Sequence, residues 1–126
     1  MQIKIKVTNI ELTNALESYV EEKIQSIEKF AIAHEEENPI VQVEIGKTTN
    51  HHRSGEVFRA EANLVVRGKR FHAHSSKDDL YAAIDDLREE LVRELTSHKG
   101  KERALFRRGA AMVKNLIRFG RAKGDN

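Results

Sequence analysis

Six histidines, twenty carboxylates and a pair of adjacent serines are the residues of this 126-residue chain whose types could do chemistry. Spacing decides how far that goes. His72 and His74 would share a strand face and His51 and His52 are neighbours, but neither pair belongs to an HExxH or other register that closes a ligand set around a metal. They read as surface histidines. Ser75 and Ser76 lie beside His74, yet no glycine-rich elbow surrounds them and helix capping accounts for them. Gly46-Lys47-Thr48 imitates the end of a phosphate-binding loop without its upstream glycine. The absence of Cys excludes disulfides, thiol nucleophiles and Cys-based zinc sites, and fits a reducing compartment. The expectation is a protein that is not an enzyme, with no cofactor, no metal and no small-molecule substrate.

The chemistry that the residues do favour is phosphate binding. Nine Lys and Arg stand against Glu102 and Asp125 between Lys99 and Asn126, a balance of +7, whereas residues 1–98 carry thirteen basic and eighteen acidic groups, a balance of −5. Such sign asymmetry points to a polyanion. At 100° per residue, Arg103, Arg107, Lys114, Arg118 and Arg121 fall within about 60° of one another, opposite Leu105, Gly109, Met112, Val113 and Leu116. The segment therefore reads as a basic amphipathic helix. It could lie on anionic lipid, turn its Arg row to nucleic acid, or remain a disordered solubilising tail. Its periodicity disfavours disorder, and two Phe with no Trp disfavour lipid, which leaves RNA ahead.

Positioning such cations is the work of the preceding elements. Ile3, Ile5 and Val7 alternate with Gln2, Lys4 and Lys6, the period of a half-buried strand. Thr13 can cap a helix in which Leu16, Val20, Ile24, Ile27 and Ala31 recur at helical spacing, with Tyr19 and Phe30 at the edge; this helix is expected to end near Phe30. Further alternations at Val41–Ile45, Phe58–Leu64 and Phe71–Ser75 give three more strands, the last two joined by the turn Arg67-Gly68-Lys69-Arg70. Ser76 is the expected cap of a second helix, whose Leu80, Ile84, Leu87, Leu91 and Leu95 lie within about 80°. The fold expected is α+β, in the order β-α-β-β-β-α, a four-stranded sheet with two helices on one face and the other, polar, face open. Residues 1–101 would form the domain and 102–126 the extension.

Lys23 is the one charge within the apolar stripe of the first helix. Either it snorkels at the stripe's margin, or it points into a groove between the two helices, where a phosphate would meet it.

The residues carry a family resemblance. Asp79-Leu80-Tyr81-Ala82-Ala83-Ile84-Asp85, followed by the run from Arg93 to Lys101 with Leu95, Thr96, His98 and Lys99, resembles the second-helix signature of the ribosome hibernation promoting factor family. The opening strand and helix, with Thr13, Leu16, Lys23 and Lys29, are similar too. The resemblance covers about residues 1–101. It implies a fold related to double-stranded RNA-binding domains and a cytoplasmic protein bound to the small ribosomal subunit, touching 16S rRNA and neighbouring ribosomal proteins. There it would block the messenger and transfer RNA sites of idle ribosomes, and it would be a monomer off the ribosome. By motif position, Lys23, Lys29, Arg93, His98, Lys99 and Lys101 inherit phosphate contacts, and Lys23 leans toward the groove. Glu90 and Ser97 stand where relatives usually carry basic residues. The tail residues Arg103, Arg107, Arg108, Lys114 and Arg118 are therefore expected to supply contacts that the acidic body lacks. The alternatives are a structured-RNA-binding module not directed at the ribosome, and a peripheral membrane protein using its tail.

Overall fold

The computed structural model describes residues 1–31, 38–48 and 57–97. Expectations placed on His51, His52 and residues 98–126, the basic amphipathic helix among them, lie outside the described residues. Met1–Leu95 forms one compact unit.

This unit follows the alternation and the helical periods closely. Strand β1 spans Gln2–Thr8, helix α1 Asn14–Gln25, a single further turn α2 Glu28–Ala31, and strands β2, β3 and β4 span Ile40–Thr48, Val57–Val66 and Lys69–Lys77. A last helix, α3, occupies residues 80–97. The sheet runs β1-β2-β3-β4, with β1 parallel to β2 and the other two pairings antiparallel. The parallel pair requires a crossover, and α1 with α2 provides it. The fold is thus the expected α+β arrangement.

One sheet face carries the core. Val41, Val43, Ile45, Ala60, Ala62, Leu64 and Ala73 are buried against Leu16, Val20 and Ile24 of α1 and Ile84, Leu87 and Leu91 of α3. Side chains such as Leu87, with no exposed surface, are those whose truncation to Ala costs about 2–5 kcal/mol. Ile3, Ile5 and Val7 are only partly buried, as suits an outermost strand.

Two glycines fix the strands. Gly46 sits opposite Thr8 in the parallel pair, and a Cβ added there would lie 2.5 Å from the Thr8 carbonyl oxygen. This explains a glycine at a position that imitates a phosphate loop. Arg67 and Gly68 have φ of 53° and 73°, the left-handed pair that a two-residue hairpin between β3 and β4 requires.

The structure corrects two expectations. The first helix does not run unbroken to Phe30. Ser26 donates its hydroxyl to the Lys23 carbonyl at 2.6 Å, and the Ile27 N–H turns to Ile24 rather than to residue 23, at 3.1 Å, so the chain tightens there and restarts as α2. Nor does Ser76 cap the second helix, since it still belongs to β4. Asp79 does so, its carboxylate accepting from the Ala82 N–H at 3.0 Å. Ser75 is buried and donates to Asp86 at 2.7 Å, tying β4 to α3.

Candidate nucleic-acid interface

Helices α1 and α3 lie side by side and run in the same direction, because their contacts advance together along both. The rings of Tyr19 and Tyr81 meet edge to face at 4.8 Å. One turn further, Tyr19 donates its hydroxyl to Asp85. The Lys23 ammonium reaches the same carboxylate oxygen at 3.2 Å and stands 5.5 Å from the Tyr19 ring centroid. Beyond it, the Arg88 guanidinium donates to the Ser26 hydroxyl at 2.9 Å. Lys23 does enter the interhelical groove, then, and the anion that meets it within the protein is a carboxylate. The hydrogen bond to Asp85, followed by burial and by the charges of Asp85 and its neighbours, pushes the Tyr19 phenol up to about 12.

The other cations of this layer are also engaged. Arg88 pairs with Glu89 at 2.9 Å, Arg93 pairs with Glu90 one turn back, and the Lys29 ammonium stands 5.3 Å from the Phe30 ring centroid. Residues 14–31 and 78–97 together carry eleven carboxylates against these four, Lys23, Lys29, Arg88 and Arg93. Of the expected site residues, Lys23, Lys29 and Arg93 are thus on the helical layer. His98, Lys99, Lys101, Arg103, Arg107, Arg108, Lys114 and Arg118 lie outside the described residues. Sequence reasoning did not single out Tyr19, Tyr81, Asp85 or Arg88 as parts of the groove. The i, i+4 spacing of Tyr19 with Lys23 and of Tyr81 with Asp85 was the available signal.

The open sheet face has the opposite balance. Two cross-strand rows, Lys4–Gln42–Asn63–His72 and Lys6–Glu44–Glu61–His74, run from β1 to β4. Glu61 accepts from His72 at 2.8 Å and lies 3.5 Å from Arg59. The His72 hydrogen bond first, then Arg59, holds its carboxyl below the usual range against the opposing effect of burial. Ile40 and Val65, 38 % and 39 % exposed, face each other across the β2–β3 pairing beside Arg70.

A family profile described as sigma 54 modulation protein / S30EA ribosomal protein matches residues 3–103. The chain belongs to that family. Among similar S30EA-family relatives are the ribosome hibernation promoting factors of Klebsiella oxytoca and of Escherichia coli strain K12. They are 37 % and 35 % identical over 101 residues, which is 80 % of this chain and 96 % of each relative. The Pseudomonas putida ribosome hibernation promoting factor is 34 % identical over 111 residues, covering 88 % of this chain and 99 % of the relative. The crystal structure of the Thermus thermophilus Protein Y N-terminal domain superposes with a TM-score of 0.63 at 25 % identity, over 78 % of this chain and 99 % of that one. A ribosomal subunit interface protein from Coxiella burnetii shares the fold, with a TM-score of 0.60 at 22 % identity, over 79 % and 99 % of the two chains.

Among the described residues, no helix is long and apolar enough to cross a membrane.

Proposed function

We propose that the protein is a ribosome hibernation factor that occupies the small ribosomal subunit and acts by occlusion, without catalysis. It settles among 16S rRNA phosphates where messenger RNA and the anticodon ends of transfer RNA would lie, and so keeps idle ribosomes from initiating. The single observation that carries this reading is the similarity to ribosome hibernation promoting factors over 96 % of their length. A matching fold alone would carry much less, because folds host many functions. Phosphate contacts position a protein without reading sequence, and structured RNA is recognised largely by shape. Lys23, Lys29, Arg93, His98, Lys99 and Lys101 are the proposed contacts of the domain, joined by Arg103, Arg107, Arg108, Lys114 and Arg118 of the extension. Lys23 would exchange Asp85 for a phosphate as the groove meets RNA.

The test is a purified initiation assay. Saturating protein should co-sediment with small subunits and exclude initiator transfer RNA and template. Normal acceptance of both ligands by protein-saturated ribosomes would remove the proposal.

A further inference from the structure

Charge in the described residues is sorted by layer. Against the eleven carboxylates and four cations of the helical segments, the four strands and the β3–β4 turn carry eight Lys and Arg with only Glu44 and Glu61. Four of those cations, Lys4, Lys6, Arg59 and Arg70, fall on the open face by the register of the sheet. The two layers also differ in how their cations are used. Lys23, Arg88 and Arg93 each hold a carboxylate. Lys4, Lys6 and Arg70 are exposed and hold none among the described residues. Among the described residues, a polyanion approaching the helical layer meets cations already paired with carboxylates, Lys29 against the Phe30 ring excepted, whereas of the four open-face cations Arg59 alone is paired, with Glu61.

We infer that the open face of the sheet is a second RNA surface, with Lys4, Lys6 and Arg70 contacting phosphates. The chemistry around them suits RNA. Lys4, Arg70 and His72 share a shallow depression with the amides of Gln42 and Asn63 and with exposed Ile40 and Val65. An amide both donates and accepts, as a ribose 2′-hydroxyl does, and the aliphatic floor accepts the face of a sugar or an unstacked base. Cations on β1 and β4 stand three strand spacings apart, about 14 Å, so the face addresses a broad object and not a single anion. A second copy of the chain is a poorer occupant. Sheet-to-helix pairing of opposite layers would be head to tail, and such contacts propagate unless a ring closes. The inference does not require the partner to be the ribosome.

The test uses the full chain with Lys4→Gln, Lys6→Gln and Arg70→Gln combined, and in parallel the same three changed to Glu. Both are checked for native far-UV circular dichroism and melting. Binding is measured against salt on two probes, purified small ribosomal subunits and a short RNA duplex. The Gln variant should lower the salt slope by about 2 to 3, since each phosphate contact contributes about 0.7 to 0.9, and the Glu variant should bind more weakly still. Unchanged slope and affinity in the folded Gln variant on both probes would overturn the inference. With polyglutamate as a third, control probe, a loss confined to it would also overturn the inference, because the face would then address acidic protein. If the wild-type chain binds duplex but not subunits, and the Gln variant loses the duplex, the ribosome reading fails and this inference stands. If variants and wild type bind subunits and duplex alike, the reverse holds.

Discussion

Asp85 is the residue on which the groove turns. Its carboxylate oxygen takes the Tyr19 hydroxyl and the Lys23 ammonium together. Both partners are partly exposed, Lys23 at 36 % and Asp85 at 49 % of their side chains, so water screens the pair and its net stabilisation is small. Asp85→Asn should free Lys23 and remove one negative charge from the layer that faces RNA under the proposed reading. The expected outcome is tighter binding to small subunits, with a salt slope steeper by up to about 0.9; an unaltered slope would place Lys23 away from the interface. The same substitution should let tyrosinate form at lower pH in a near-ultraviolet absorbance titration. The sign follows from the Tyr19 phenol, which lies at about 12 in the fold against an ordinary 10.0. The fold favours its neutral form, so that contribution to stability is complete below pH 10 and lost as pH climbs toward 12. In the Asn variant this window narrows. None of the pairing was legible in the chain, because residues 62 or 66 positions apart share no local period. What could be read was that a lysine stood inside an apolar stripe and needed a reason.

At the scale of elements, the strands and helices were legible because each shows its period to the core. Val41, Val43 and Ile45 alternate, and Leu80, Ile84, Leu87, Leu91 and Leu95 keep helical spacing. The break at Ser26 and Ile27 was not, since Ile24, Ile27 and Ala31 continue the apolar spacing across it and Ile27 is fully buried either way. The cap was misplaced for a related reason: Ser76 and Asp79 are both good N-caps, and only the length of β4 decides between them. Two glycines separate steric from conformational demand. Gly46→Ala should cost about 1–3 kcal/mol, the range for a forced shift in a packed interior, because its Cβ meets the β1 backbone at 2.5 Å. Gly68→Ala has open space but a φ of 73°, so its cost should be the left-handed penalty of about 1–2 kcal/mol. Urea unfolding measures both. A Gly46→Ala protein as stable as wild type would mean that β1 and β2 can part without loss.

For the whole molecule, the acidic body and basic extension now acquire a finer division. The body itself is acidic on its helices and basic on its sheet, a segregation that the summed charge of residues 1–98 conceals. The composition could not show it, because layer membership is fixed by topology. Removing residues 104–126 deletes Arg107, Arg108, Lys114, Arg118, Arg121 and Lys123, and should flatten the salt dependence of subunit binding by as much as about 4 to 5 if all six touch phosphate. Sedimentation at stepped salt reads this directly, and an unchanged slope would deny the extension an anchoring role. The topology has a consequence for synthesis as well. The parallel partner of Gln2 is Ile40, whereas β2, β3 and β4 form successive antiparallel pairs. Strand β1 leaves the exit tunnel before its partner and therefore waits, unpaired, for the crossover helix and β2 to emerge. Non-local pairing of this kind closes late in folding, which leaves β1 as the last edge to be laid down on a meander that can assemble from near neighbours.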